Sequence, residues 1–407
     1  MLPRCTLGTG DRRRIKRMDD WLTTEQAAAR LGVKRETLYA YVSRGLLHRA
    51  LDTDGRRSRF DPAEIDQLRR RQRPEGEFAT LVTTRIARPA DEGVYVRGRD
   101  LVAEAALSTF EEAADRIWQA APGEPWPSVA DPDGDHDDIG VRLPKRSPLM
   151  DRLRIGVTLA SATDPLRDDL SPISVRTAGR RAVCAMVNSL PRRCNPQGGS
   201  VADTLWCRLA RRQASQRRRA ALNRALVLLA EHGLASSTLG ARVAASVRAD
   251  PYSVITAGLG VLGGRLHGAA SAPVHRLLAE AARGGDAASA LGEAQRNLGF
   301  TPGFGHVTLK RRDARCGALM EALASAWPTD ERLGTVLEVY NLAADRTEGI
   351  ATVDFALGAF TYLADMTPES GEAIFAIART VGWIAHALEE YDEEPLRFRF
   401  RARYIGD

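Results

Sequence analysis

The stretch Thr301-Pro302-Gly303-Phe304-Gly305-His306 runs on into Lys310-Arg311-Arg312-Asp313-Ala314-Arg315, and the rest of the chain is read outward from it. A Pro-Gly turn leads to a glycine beside a histidine. Four cationic side chains then fall within six residues. Glycine allows backbone N–H groups to approach a ligand closely. The residues that follow read as helical, so an anion there would meet the positive end of a helix dipole. Arg315, nine residues past His306, is suited to grip a carboxylate with two parallel hydrogen bonds. A tight turn followed by a solvated basic helix is the plain alternative, and this stretch alone leaves both open.

The chain has 407 residues, enough for two or three domains, and its hydrophobic fraction of 44% is ordinary for a globular protein. No apolar run of about 18 residues occurs, so no membrane span is expected. The N-terminus carries charge without an apolar core, which argues against secretion and for the cytoplasm. Five cysteines are scattered without metal-ligand spacing, which points away from a disulfide framework or a zinc site. No metal and no permanently bound cofactor are expected. The net charge of +6 suggests acidic partners without naming them.

Residues 1–19 read as a basic disordered tail. Residues 20–74 read as a separate module. Thr23 and Gln26 form a capping-box pattern, Gly32 stops the first helix, and Lys34 to Arg44 makes a second with Leu38, Tyr41 and Val42 inward. Leu46 to Phe60 reads as a hairpin with Asp54-Gly55 at its tip and Arg56, Arg57 and Arg59 on its return arm. Asp61-Pro62 opens a third helix. The string "LTTEQAAARLGVKRETLYAYVSRGLL…GRRSRFDPAEID" resembles the winged helix-turn-helix of the MerR and excisionase families. The resemblance implies that Lys34, Arg35, Thr37 and Tyr39 face the major groove or its phosphates, with Arg56 and Arg57 as wing contacts. DNA is therefore a candidate partner through residues 20–74, and docking to another protein is the alternative.

From residue 75 to the C-terminus the expectation is one mainly α domain. Leu81–Ile86 and Gly93–Val96 read as short strands, Thr109–Trp118 as a helix, and residues 121–147 as a surface loop. Beyond Met150 the pattern is helix after helix at a 3.6-residue period, for example Asp151–Ala162, Ser174–Asn188, Asp203–Arg211 and Arg218–His232. Arg211 through Arg219 is a cationic surface run. His232 ends a helix, His267 follows a Gly-Gly pair, and Asp354 sits in the apolar run "TVDFALGAF", where a carboxylate is costly unless paired or used. Arg379 sits in a similarly apolar helix. His48, His136, His275 and His386 read as ordinary surface or core residues.

The strings "AEHGLASSTLGARVAAS", "LHGAA", "PGFGHVTLKRRDAR", "VDFALGA" and "ARTVGWIAHALE", in that order, resemble citrate synthase. The resemblance implies a homodimer of large and small helical domains, the small lid spanning about residues 270–362, with the active site between them and completed across the interface. It implies acetyl-CoA (or propionyl-CoA) and oxaloacetate as substrates, with citrate or 2-methylcitrate and CoA as products. By the same resemblance Asp354 would take the proton from the acetyl methyl, His267 would stabilise the enolate, and His306 would polarise the keto carbonyl. His232, Arg315 and Arg379 hold oxaloacetate, joined by Arg399 from the other subunit. Gly303, Phe304, Gly305, Lys310 and Arg311 meet CoA.

The chemistry explains why several groups are needed. The methyl beside a thioester is a weaker acid than a carboxyl by roughly 15 pKa units, about 20 kcal/mol. Burial of the base recovers a few units, and charge stabilisation and positioning supply the rest. The chain departs from the family pattern at Ala235, at Ala269, Ser271 and Ala272, and at Phe400. The altered loop after His267 and the N-terminal winged helix motivate the competing expectation, a DNA-binding transcriptional regulator with a degenerate synthase-like body that senses a metabolite.

Overall fold

The computed structural model describes residues 21–43, 46–52, 54, 57–71, 82–90, 93–121, 124–127, 143–144, 146–264, 267–305, 312–347 and 349–398. These fall into two compact units, one over Met1–Leu81 with Phe398–Asp407 and one over Val82–Arg397.

The first unit is built from β1 (Leu22–Thr23), α1 (Thr24–Leu31), α2 (Arg35–Ser43), β2 (Ala50–Leu51), β3 (Ser58–Phe60) and α3 (Pro62–Arg71). Both arms of the capping box are present: the Gln26 N–H donates to Thr23 Oγ1 at 3.3 Å, and the Thr23 N–H donates to Gln26 Oε1 at 2.9 Å. Gly32 ends α1 in the left-handed conformation, and the Ala63 N–H donates to the Asp61 carboxylate at the head of α3. The sheet order is β1-β3-β2, all antiparallel, so the hairpin gains a third strand from Leu22–Thr23 that its sequence did not announce. Ala27, Ala28, Leu38, Leu47, Phe60, Ile65 and Leu68 form the small core. Gly45, Gly55 and Arg56 lie outside the described residues.

The second unit opens with an antiparallel meander: β4 (Ala87–Ala90), β5 (Gly93–Val96) and β6 (Arg99–Asp100). The expected strand over Leu81–Ile86 is corrected to Ala87–Ala90. Ile86 is buried and its carbonyl accepts from the Arg97 N–H, so the pairing starts at the end of the apolar run and not within it. Helices follow: α4 (Leu101–Leu107), α5 (Phe110–Ile117), α6 (Leu149–Ala162), α7 (Pro172–Asn188), α8 (Val201–Leu209), α9 (Gln216–Ala230), α10 (Ser236–Ser246), α11 (Pro251–Leu262), α12 (Ser271–Gly284), α13 (Ala287–Leu298), α14 (Ala314–Ala326), α15 (Glu331–Arg346), α16 (Val353–Leu363) and α17 (Ser370–Tyr391). The long α17 is buried along nearly its whole length and packs against α7, α9, α10 and α11. Helices α12, α13, α15 and α16 pack on one another, and α14 bridges from α16 to α9. Among the described residues no helix is long and apolar enough to cross a membrane.

The cysteine reading needs correction. Cys194 and Cys207 form a disulfide. The Arg193 and Cys194 N–H groups both donate to the Cys207 carbonyl, at 2.8 and 3.1 Å, which folds the loop after α7 onto α8 and brings the sulfurs together. Cys184 and Cys316 are buried free thiols, and Cys5 lies outside the described residues.

Candidate active site

The described end of the opening stretch, residues 301–305, is stitched to the residues that lead into Asp354. The Thr352 N–H and hydroxyl both donate to the Gly303 carbonyl, at 2.9 and 3.1 Å. The Gly305 N–H donates to the Ile350 carbonyl at 2.8 Å. Gly303 is required here on two counts. Its φ is 74°, and a Cβ would lie 2.7 Å from the Phe355 Cβ. His306, Lys310 and Arg311 follow directly and lie outside the described residues, as does Arg399.

Asp354 sits in the first turn of α16 and is only partly accessible. Burial raises its carboxyl to about 6, the nearby Asp313 charge adds to the rise, and Arg315 and the Thr352 hydroxyl oppose it. A carboxylate tuned to that range remains ionised near neutral pH yet is a stronger base than an exposed one.

Arg315 grips a carboxylate with two parallel bonds, as its chemistry suggested, but that carboxylate is Asp313. Nε and Nη2 each donate to Asp313 at 2.9 Å. The reason is local: Asp313 caps α14, and its second oxygen also accepts the Val353 N–H at 2.9 Å. Burial would raise Asp313, but Arg315 and these N–H donors outweigh it and hold it below its ordinary value. Only Nη1 of Arg315 is buried without a partner.

Arg379 is the opposite case. It has no solvent exposure, and none of its three guanidinium nitrogens has a hydrogen-bond partner. Its counter-charge, Glu231, stands 3.6 Å away. Burial lowers its pKa to about 10, against the pull of Glu231. A buried cation with open donors is costly and is expected where an anion completes the site.

Phe375, one helical turn before Arg379, organises this end of the site. The His232 ring meets it edge-on at 6.0 Å between centroids, the His267 ring at 6.3 Å, and the Arg379 guanidinium carbon lies 5.4 Å from its centroid. His232 keeps a buried Nδ1 without a partner. His267 Nε2 lies 2.9 Å from Ser237 Oγ, and burial lowers its pKa, so the ring is neutral near pH 7. When Ser237 donates to Nε2, the proton sits on Nδ1, which leaves an N–H donor for a developing oxyanion. The His267 and Asp354 segments meet through α12: Gly358, one turn past Asp354, lies so close to Ser271 that a Cβ would stand 2.6 Å from the Ser271 carbonyl oxygen.

The sequence reading missed Phe375, Ser237, Asp313, Glu231 and His386. His386 is a core residue, as one of its two readings had it, but it belongs to a buried charge network. Its signal was the seven-residue spacing from Arg379, two turns along one helix face. A surface cavity lined by Val96, Arg97, Leu101, Glu104, Arg116 and Ile117 includes none of the candidate residues, and Arg116 and Glu104 in its lining pair with each other. Among the described residues no cluster could hold a metal ion.

In the first unit, Lys34, Arg35, Tyr39 and Arg57 are exposed and Thr37 is half-buried. Arg35 pairs with Glu25 at 3.2 Å, and the Tyr39 hydroxyl lies 3.3 Å from Thr24 Oγ1.

A helical body that gathers His232, His267 and the buried Arg379 round Phe375, with a raised carboxyl at the head of α16, has the features of a protein that binds a small anion. The family model "Citrate synthase, C-terminal domain" matches residues 82–401, and the chain belongs to the citrate synthase family. A helix-turn-helix domain model matches residues 21–73. The chain is 36% identical over 190 residues to a citrate synthase of Haloferax volcanii, a match that spans 45% of this chain and 49% of that one. It is 28% identical over 344 residues to a 2-methylcitrate synthase of Mycobacterium tuberculosis, spanning 76% of this chain and 84% of that one. The citrate synthase of Thermotoga maritima has the same fold, with a TM-score of 0.64 at 22% identity over 83% of this chain and 96% of that one. So does that of Thermoplasma acidophilum, solved with carboxymethyl coenzyme A and oxaloacetate, with a TM-score of 0.66 at 20% identity over 82% of this chain and 97% of that one.

Proposed function

We propose that the chain condenses acetyl-CoA or propionyl-CoA with oxaloacetate and hydrolyses the resulting thioester, releasing citrate or 2-methylcitrate and CoA. The observation that carries this is Arg379, fully buried with all its donors open, against the same Phe375 ring as His232 and His267. A dianionic 2-oxo acid supplies the charge that this pole lacks. Asp354 takes the methyl proton, and neutral His267 donates to the thioester oxygen as it becomes an enolate. His306 polarises the keto carbonyl, and Arg315 adds its remaining N–H to the diacid, with Arg399 of a second copy completing the pocket. Gly303, Phe304 and Gly305, with Lys310 and Arg311, meet CoA.

The mutual packing of α12, α13, α15 and α16 supports a lid over about residues 270–362. Its closure would exclude water until the carbon–carbon bond forms. The active species in this reading is a homodimer in the cytoplasm, which requires the Cys194–Cys207 disulfide to withstand cytoplasmic thiols. Exposed Lys34, Arg35, Tyr39 and Arg57 support DNA binding by residues 20–74 as a second property of the same chain.

The test is incubation of the full chain with acetyl-CoA or propionyl-CoA and a panel of 2-oxo acids, with products identified by mass spectrometry. Citrate or 2-methylcitrate is the expected product. No condensation product with any pair, alongside ligand-shifted DNA binding, would move the assignment to a metabolite-sensing regulator.

A further inference from the structure

Behind Arg379 lies a buried chain of charges. Glu231 Oε1 accepts the Gly233 N–H and faces His386 Nε2 at 3.4 Å, and its Oε2 faces Arg379 at 3.6 Å. His386 Nδ1 lies 2.7 Å from Arg242 Nη1. Arg242 also donates to Glu389 at 2.8 Å and to Glu390 at 2.9 Å, and Arg397 grips Glu390 with two bonds of 2.6 Å.

The donors and acceptors in this chain allow one arrangement. A guanidinium can only donate, so His386 Nδ1 must offer a lone pair, and the ring proton must sit on Nε2, toward Glu231. Glu231 is thus held from two sides, by the Gly233 N–H and by the His386 N–H. Held there, it stands too far from Arg379 for a hydrogen bond. A carboxylate free to move would close those few tenths of an ångström, because a paired buried guanidinium is far better off than an open one. The burial of Glu231 would raise its pKa, but His386, Arg379 and the Gly233 N–H outweigh that and keep it ionised, so it remains a standing competitor for Arg379.

We infer that His386 is a positioning residue: it holds Glu231 off Arg379 and so keeps the Arg379 donors open for a substrate carboxylate. The same carboxylate, through Gly233, fixes the turn that carries His232, so one anchored side chain sets both groups at the diacid pole. This rests on the diacid reading of the site.

The experiment is calorimetric titration of the full chain with oxaloacetate, with turnover measured in parallel. His386→Leu frees Glu231 to pair with Arg379, and oxaloacetate affinity should fall at least about 10-fold while the KM for acyl-CoA stays within about 2-fold. His386→Gln offers an amide N–H and a carbonyl to the same two neighbours and should restore affinity. Adding Glu231→Gln to His386→Leu removes the competing charge and should recover part of the loss, which a merely structural defect would not allow. Undiminished affinity in His386→Leu overturns the inference, and so does an equal loss in His386→Leu and the double variant. No binding by the wild-type chain overturns the diacid reading and the relay with it.

Discussion

In the body, the informative arginine has neither solvent nor a hydrogen-bond partner; in the N-terminal unit, the informative cations have solvent and few partners. Arg379 is buried with open donors, whereas Lys34 and Arg57 stand exposed on a module with a small core, seven buried side chains among the described residues. The difference teaches where each proposed activity would be stored. A small ligand is bound by groups whose desolvation has already been met by the fold, so few contacts suffice. A polyanion is bound by groups that remain hydrated until counterions leave, so many weak contacts add up.

The comparison breaks first at Asp354. Asp354→Ala should lower turnover by on the order of 10³-fold, the range of a general base, and leave duplex affinity untouched. Turnover in the wild type should rise with pH through about 6, as the carboxyl ionises. The stability consequence has the opposite sense. The folded carboxyl keeps its proton up to about 6 and the unfolded one to about 3.8, so the folded state binds more protons between those values and stability falls as pH rises across that window. Asp354→Asn should flatten that fall in thermal melts.

A sharper division lies between the two buried arginines. Arg315→Ala strands Asp313 and should cost about 3–5 kcal/mol of folding stability by denaturant titration. Arg379→Gln removes a cation that faces Glu231 at 3.6 Å without a hydrogen bond, so it should cost less stability than Arg315→Ala, while weakening oxaloacetate by about 2–5 kcal/mol. If the two variants behaved alike, the distinction between a hydrogen-bonded arginine and one with open donors would be lost.

Smaller effects belong to the N-terminal unit. Leu38→Ala, at a fully buried position, should cost that module about 2–4 kcal/mol and abolish duplex binding, with turnover of the body retained. Lys34→Ala and Arg57→Ala should each weaken duplex binding modestly across sequences and reduce the salt slope by about 1.

What could be read from the sequence was what is local. The Thr23–Gln26 capping box, the Gly32 stop and the Asp61-Pro62 start are decided by neighbours three or four residues apart, and all three are present. The ordered motifs around His232, His267, Asp354 and Arg379 conveyed the fold and family because each is a contiguous string. What escaped notice was set by contacts across the fold. Phe375 looks like any core aromatic until three site groups surround it. Glu231 and His386 are 155 residues apart and meet only through the packing of α9 against α17. The Cys194–Cys207 link depends on a loop folding back onto α8. The Asp313–Arg315 pair was within reach of sequence reasoning, since a helix-capping carboxylate two residues from an arginine is a strong candidate partner.

The central claim is that Asp354 abstracts a proton from the methyl of an acyl-CoA held against a bound diacid. Thiol release measured with the full chain, acetyl-CoA and oxaloacetate, beside its Asp354→Asn variant, addresses it directly. The account predicts CoA thiol from the wild type only when both substrates are present, and essentially none from the variant although it still binds oxaloacetate. Equal thiol release from wild type and variant would contradict it.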